Sequence, residues 1–379
     1  MSAQSSIEYR KRQPGVAGGI TCEIRVPLRV CFLITDFSDG GAQRQCIYLL
    51  NELQCRTDLD LHLIYLHSGV HEHLLSRANV QVTKLSVTSN YDPRNLLQLR
   101  NALRRIRPDI LFSWLHACDV YSFFVRRCVP GMRWIFAERG SRYPRDPRYF
   151  LRRELGRHAD AIIANSAAGG AYWREAGARG PCFVVPNIVR IPGETQGIPR
   201  TRSVIFVGRL EPQKNAVILV RAFCALAARR QDLSFLVIGD GSLRGEAEGV
   251  VVEAGLAGRI AFLGFQRDPF SLIASAATVV SISHFEGLPN VLLESVALGT
   301  TVVASDIPEH RELLGPDYPF YVADRDSAEA CATVIERALT PGGQPGALCF
   351  ARARTAEMTP RVIGDRYLDI FQRIKAGRQ

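Results

Sequence analysis

The sequence predicts an α/β protein built from two doubly wound parallel sheets, and three observations carry that expectation. Short β-branched apolar runs alternate with helix-period segments from residue 28 onwards, the pattern of parallel strands joined by crossover helices. The chain has 379 residues, more than one hydrophobic core ordinarily organises, so two units are expected. A polar stretch containing Pro and Gly, NIVRIPGETQGIPRTR at 187–202, interrupts the alternation near the middle, and domain boundaries fall in such stretches.

In the first unit, 28–190, strands are expected at LRVCFLIT (28–35), LDLHLIYL (59–66), DILFSW (109–114), RWIFAE (133–138), DAIIANS (160–166) and CFVVPN (182–187). A helix should begin near Asp92-Pro93, where Asp can cap exposed amides and Pro tolerates the first helical position, and continue through NLLQLRNALRRIR. Residues 191–202 read as a linker. The second unit, 203–360, resumes with SVIFVGRL, LSFLVIGDG, RIAFLGF, ATVVSISHF and TTVVASD, each followed by a helix-like segment. In the last stretch, 361–379, RVIGDRYLDIFQRI is amphipathic and reads as a helix packing back on the first unit.

Residues 1–27 read as a mobile polar tail without the apolar stretch of a secretory signal. With 47% hydrophobic and 22% charged residues and no apolar run of the ~18 residues that a spanning helix needs, a cytoplasmic globular protein is expected. Ten cysteines without a C-x-x-C pair point to reduced, mostly buried thiols, Cys31 and Cys46 among them, rather than a disulfide or zinc framework. HSGVHEH brings His67, His71 and His73 together, but with no Cys or Asp partner nearby it is not read as a metal site. Charge is uneven. Arg94 to Arg157 holds fifteen Arg and no Lys against five acids, an excess equal to the whole chain's +10. Such a stripe suits phosphate, an acidic polymer or an anionic membrane at the inner face of a cell; it also fits a plain solvated face.

Ligands of open parallel sheets bind beyond the carboxyl ends of the strands, and four segments place polar or Gly-rich residues there: DFSDGGAQR (36–44), GRLEPQKN (208–215), GDGSLRGE (239–246) and HFEGLPN (284–290). In the second, Arg209 ends a strand and Lys214 arrives at a helix start, a geometry fit for a diphosphate. With 43 Arg and four Lys in the chain, a Lys at 214 suits a point-charge contact to phosphate; a surface pair beside a helix start is the alternative. Glu286 and Glu294 flank a Gly-Leu-Pro-Asn turn. Eight helical residues would hold them about 12 Å apart, beyond the roughly 5–9.5 Å of a glycosidase pair. Carboxylates at both ends of a site with an anion-binding helix start between them suit a nucleotide-sugar. A loop charge and a solvated helix residue would also satisfy the sequence.

GRLEPQKN, GDGSL, FLGF and HFEGLPNVLLESVALGTTVVASD resemble the C-terminal domain of the retaining glycosyltransferases of family 4 (glycosyl transferases group 1). GGAQR, RPDILFSW, ADAIIANS and VVPN resemble the N-terminal acceptor domain of the same family. The resemblance spans about residues 28–374. It implies a GT-B fold of two Rossmann-like domains and transfer of a hexosyl group from a UDP- or GDP-sugar to a hydroxyl of a lipid-linked or growing glycan, with retention. By this resemblance Glu294 holds the ribose hydroxyls and Glu286 a hydroxyl of the donor sugar, while Arg209 and Lys214 neutralise the diphosphate. Gly208, Gly264 and the backbone of Gly287, Leu288, Pro289 and Asn290 line the donor, and Gly40 and Gly41 approach its phosphate from the facing domain. His116 in SWLHACD falls near the donor sugar, although the alignment equally puts Asp119 there. Glu138 and Arg139 become acceptor contacts. None of the four strand-end segments contains a D-x-D triplet, so neither metal nor cofactor is implied.

Three other classes remain open. GDGSLRG follows a strand as in a dinucleotide oxidoreductase, but Arg244 replaces the third glycine of G-x-G-x-x-G and Gly245 comes one position late. A sugar-nucleotide epimerase would share the fold. A nucleic-acid-binding protein would use the Arg stripe, yet no binding motif accompanies the charge and nucleic acid is not an expected partner.

Overall fold

The computed structural model describes residues 26–87, 89, 92–195, 197–340 and 346–377; nearly all of the expected tail, 1–25, lies outside them. Its first sheet is assembled from β1 (Leu28–Asp36), α1 (Gly41–Leu53), β2 (Leu59–His67), β3 (Val80–Lys84), α2 (Arg94–Ile106), β4 (Ile110–Trp114), α3 (His116–Val125), β5 (Arg133–Glu138), α4 (Pro147–Gly156), β6 (Ala161–Ala164), α5 (Ala167–Glu175) and β7 (Cys182–Val184). The second comprises β8 (Ser203–Val207), α6 (Ala216–Arg229), β9 (Ser234–Ile238), α7 (Arg244–Glu253), β10 (Ile260–Gly264), α8 (Phe270–Ser275), β11 (Thr278–Ser281), α9 (Asn290–Ala297), β12 (Thr301–Ser305), α10 (Pro308–Leu314), β13 (Tyr321–Val322) and α11 (Ala328–Leu339). Helices α12 (Cys349–Ala356) and α13 (Pro360–Lys375) end the chain.

All strand pairs are parallel, in the orders β3-β2-β1-β4-β5-β6-β7 and β10-β9-β8-β11-β12-β13. The expected two doubly wound sheets are therefore present. Strands β3 and β13 were not expected from the sequence. Both are edge strands; β3 (VQVTK) fully buries only Val80, and β13 is two residues long, so neither leaves an apolar run to read.

The strand order reverses between β1 and β4 in one sheet and between β8 and β11 in the other. A crevice opens beyond the strand ends at each reversal, because successive crossovers leave on opposite faces there. The first sheet is covered on one face by α2, α3 and α5, whose Leu99, Leu103, Cys118, Tyr121 and Trp173 join its core. The other face is covered by α1 and, from the far end of the chain, by α13: Ile363, Tyr367, Ile370, Phe371 and Ile374 pack with Phe32, Phe112 and Ile163. Thr359 caps α13 by accepting from the Val362 amide, and Pro360 stands in its first turn.

Candidate active site

Both reversal points carry expected site residues. Beyond β1, Asp36 accepts hydrogen bonds from the Thr35 hydroxyl, the Ser38 amide and the Gln43 side chain. This fixes the loop that delivers Gly40 and Gly41 to the start of α1. Beyond β4, Leu115 has φ +69° and ψ 148°, a region almost confined to glycine, and this local strain sets His116 at the head of α3. The His116 ring packs at a tilt against Tyr149; burial, with Arg152 and Arg148 nearby, lowers its pKa.

Beyond β8 come Gly208 and an exposed Arg209, then the turn bearing Lys214. Beyond β11 come Ser283 and Glu286. Gln213 ties the two loops: its side chain donates to the Phe285 carbonyl (2.9 Å) and its own carbonyl accepts from the His284 amide. Lys214 Nζ pairs with Glu286 Oε1, which also accepts from Ser283 Oγ at 2.6 Å. Burial would raise the Glu286 carboxyl, but Lys214 and Ser283 hold it below its ordinary value. Beneath them His310, fully buried on α10, has Nδ1 2.9 Å from the Ser305 carbonyl and Nε2 without a hydrogen-bond partner. Gly264 ends the edge strand β10 with φ +65°, on the outer flank of the second crevice.

Gly287, Leu288 and Pro289 are buried and lead into α9, which begins at Asn290. Glu294 lies one turn into that helix, buried, and pairs with Arg44 of α1. Burial lifts its carboxyl above the ordinary value even with Arg44 beside it. The two units meet here. A Cβ on Gly41 would strike Asn290 Nδ2, and one on Gly287 would strike the Arg139 carbonyl. The Asn187 amide donates to the Leu288 carbonyl (3.1 Å) and to Asn290 Oδ1 (2.8 Å), and Gln45 Nε2 donates to the same Asn290 oxygen (3.2 Å). Glycine is required at 287, where backbone of the opposite domain stands at contact distance; at 41 a side chain would have to displace that of Asn290.

One expected acceptor contact, Glu138, has its oxygens taken up within the framework. Glu138 is fully buried and accepts from Arg152, Trp173 Nε1, Tyr143 Oη and the amides of Arg139 and Gly140; no lone pair remains for a ligand. Asp119, the alternative to His116, is equally committed, accepting from Ser113 and Arg152. Arg139 spans toward α13: its guanidinium reaches Asn187 (3.1 Å) and Tyr367 Oη (2.7 Å) and lies 4.0 Å over the Trp114 ring. The Arg stripe is thus partly internal. Its exposed members include Arg100 and Arg104 on α2, Arg127 just after α3, and Arg148 and Arg153 on α4, and the same three helices expose Leu97, Phe124, Phe150 and Leu151.

Arg44 and His310 were missed in the sequence. For Arg44 a signal exists: a cation in the first turn of a helix opposes the helix dipole, and such a local conflict flags function. His310 offers none, since a His in a helix start reads as surface. Among the described residues no group of three or more His, Cys, Asp and Glu could hold a metal ion. Nor, among these residues, is any helix long and apolar enough to cross a membrane.

Comparison with known proteins agrees with this architecture. The family model described as Glycosyltransferase Family 4 matches residues 39–191, and the one described as Glycosyl transferases group 1 matches residues 201–340. An undecaprenyl-diphosphate-glycan α-1,4-N-acetylgalactosaminyltransferase of Campylobacter jejuni is 26% identical over 71% of this chain and 77% of its own length. The lipopolysaccharide core biosynthesis glycosyltransferase LpsE of Rhizobium meliloti is 25% identical over 79% of this chain and 85% of its own. Among solved structures, Anabaena HepE in complex with UDP and glucose superposes with a TM-score of 0.74 at 19% identity, covering 91% of this chain and 99% of that one. Sucrose-phosphate synthase of Thermosynechococcus elongatus gives 0.75 at 18%, covering 92% and 100%.

Proposed function

The chain belongs to the family 4 (group 1) glycosyltransferases of GT-B fold, and from that premise we propose how it divides the work of moving a hexosyl group from a nucleotide-sugar to an acceptor. The donor is a UDP- or GDP-sugar lying along the start of α9. Glu294 takes the ribose hydroxyls, Glu286 a hydroxyl of the sugar, Arg209 and Lys214 the diphosphate, with the backbone of 287–290, Gly208 and Gly264 lining it and Gly40–Gly41 closing from the other side. The observation that supports this reading is the placing of two buried carboxylates, each paired with a cation, on either side of one helix start at the reversal of the second sheet.

The chemistry follows from charge. As the bond between sugar C1 and the diphosphate oxygen breaks, negative charge gathers on the leaving group, and cations already in position lower the barrier without reorganising. The acceptor oxygen joins C1 on the same face, which gives retention, and its proton passes to the departing phosphate oxygen. Neutral His116 sits where the sugar emerges, held by Tyr149. No metal is assigned a part.

The acceptor is a lipid-linked glycan. The Campylobacter relative is named for such a substrate, and the Arg-rich face carrying Leu97, Phe124, Phe150 and Leu151 suits an anionic bilayer, into which the apolar side chains would dip between lipid phosphates.

Screening UDP- and GDP-sugars by thermal shift, then by donor hydrolysis, tests the donor. Glu294→Ala should raise donor Kd at least tenfold, whereas Glu286→Ala should chiefly lower kcat; Arg209→Ala and Lys214→Ala should do both, by roughly a hundredfold in kcat/KM. Wild-type kinetics in both cation variants would refute the diphosphate assignment.

A further inference from the structure

Resting on the donor site just described, we propose that Arg44 is a donor-binding residue that changes partner. It holds Glu294 in the structure and passes to the donor diphosphate when the ribose hydroxyls take Glu294.

Three observations carry this. Arg44 makes little use of its chemistry. A guanidinium has five N–H donors, yet one terminal nitrogen meets one Glu294 oxygen, and Nε, buried, has no hydrogen-bond partner. The side chain is 12% exposed. A permanent structural pair in so enclosed a place would be expected to satisfy the fork, as Arg152 does by donating to both Asp119 and Glu138. The second observation is competition. A carboxylate gripping vicinal ribose hydroxyls uses both oxygens, and Arg44 occupies Oε1. The third is reach. Arg44 follows Gly41, which abuts Asn290, and precedes Gln45, which donates to Asn290. The guanidinium meets Glu294 one turn into α9 and lies 5.8 Å from the centre of the Phe270 ring, so it has only about one helical turn, roughly 5 Å, to cross to the helix start where the diphosphate is placed, and a phosphate offers the two-oxygen edge that the fork matches.

The exchange has a thermodynamic signature of its own. A nucleoside, which has ribose but no phosphate, must displace Arg44 and gives it nothing in return. A nucleoside diphosphate displaces it and rehouses it. Loss of Arg44 should therefore help the first ligand and harm the second.

Calorimetric titration of the full chain with uridine and with UDP, and in parallel with guanosine and GDP, reads this directly. Arg44→Gln should bind the diphosphate roughly tenfold or more weaker and the matching nucleoside several-fold tighter. Arg44→Lys, which keeps the charge and loses the fork, should shift both in the same senses by less. If either variant weakens both ligands together, Arg44 is only structural and the proposal falls. If both tighten, it is only a competitor and the proposal falls as well. Should Arg44→Gln not fold, as judged by its melting transition, the Arg44→Lys pair of titrations decides. A wild-type protein that binds neither UDP nor GDP would sink the donor site itself, an outcome distinct from the opposite-sign test in a wild type that binds.

Discussion

Glu138, Glu286 and Glu294 are all buried, and their neighbours separate a saturated carboxylate from the two proposed to hold ligand. Five donors saturate Glu138. Glu286 has one cation and one hydroxyl, and Glu294 a single guanidinium, so neither is saturated. Sequence could name all three as candidates but could not sort them, because Arg152 and Trp173 reach Glu138 from fourteen and thirty-five positions away. The buried His310 adds a pH signature. Burial lowers its pKa to about 4, against Glu286, which raises it, while Lys214 lowers it further. Below pH 6.5 the unfolded chain takes up a proton that the folded chain refuses until about pH 4, so stability falls as pH drops through that window. By pH 5 the loss reaches about 2 kcal/mol. In His310→Leu the difference in unfolding free energy between pH 7 and pH 5, from urea titrations, should shrink by about that amount; an unchanged difference would contradict the assignment.

The elements that could be read were those with their own local reasons. Asp92 accepts from the Arg94 amide at 2.9 Å and starts α2 where Asp-Pro was expected to. Asp146-Pro147 does the same for α4, the Arg148 amide donating at 2.8 Å. Strands β3 and β13 draw their pairing from neighbours instead and were invisible. Helix α4 shows what a well-formed element can do with its outer surface. Tyr149 reaches His116, while the next two residues, Phe150 and Leu151, are 66% and 46% exposed, an arrangement that puts the proposed membrane contact beside the cleft. Flotation with phosphatidylglycerol vesicles at low salt should carry the wild-type protein upward. Phe150→Ser with Leu151→Ser should lose at least half of that binding while donor hydrolysis in solution persists. Equal flotation of the two proteins, or none of the wild type, would remove α4 from the membrane.

At the scale of the whole molecule, two reversals of strand order face each other, and between them they collect nearly every expected donor residue. That much was legible because parallel sheets bind ligands at predictable places. How closely the halves meet was not, since Gly41 against Asn290 and Gly287 against Arg139 are contacts between segments with no local signal. Helix α13 links the halves a second time, returning from the second unit to cover the first sheet. A chain ending at residue 359 should leave Phe32, Phe112 and Ile163 without their cover, and is expected to be recovered mostly in the insoluble fraction. A soluble, cooperatively melting truncate would show that the helix is dispensable.

The same return of the chain has a consequence during biosynthesis. The strands of the first sheet leave the ribosome well before the residues that cover them, and at about 5–20 residues per second the delay amounts to roughly ten seconds or more. Throughout that interval the nascent polypeptide displays an uncapped aromatic surface, so early chaperone engagement is a demand written into the connectivity itself.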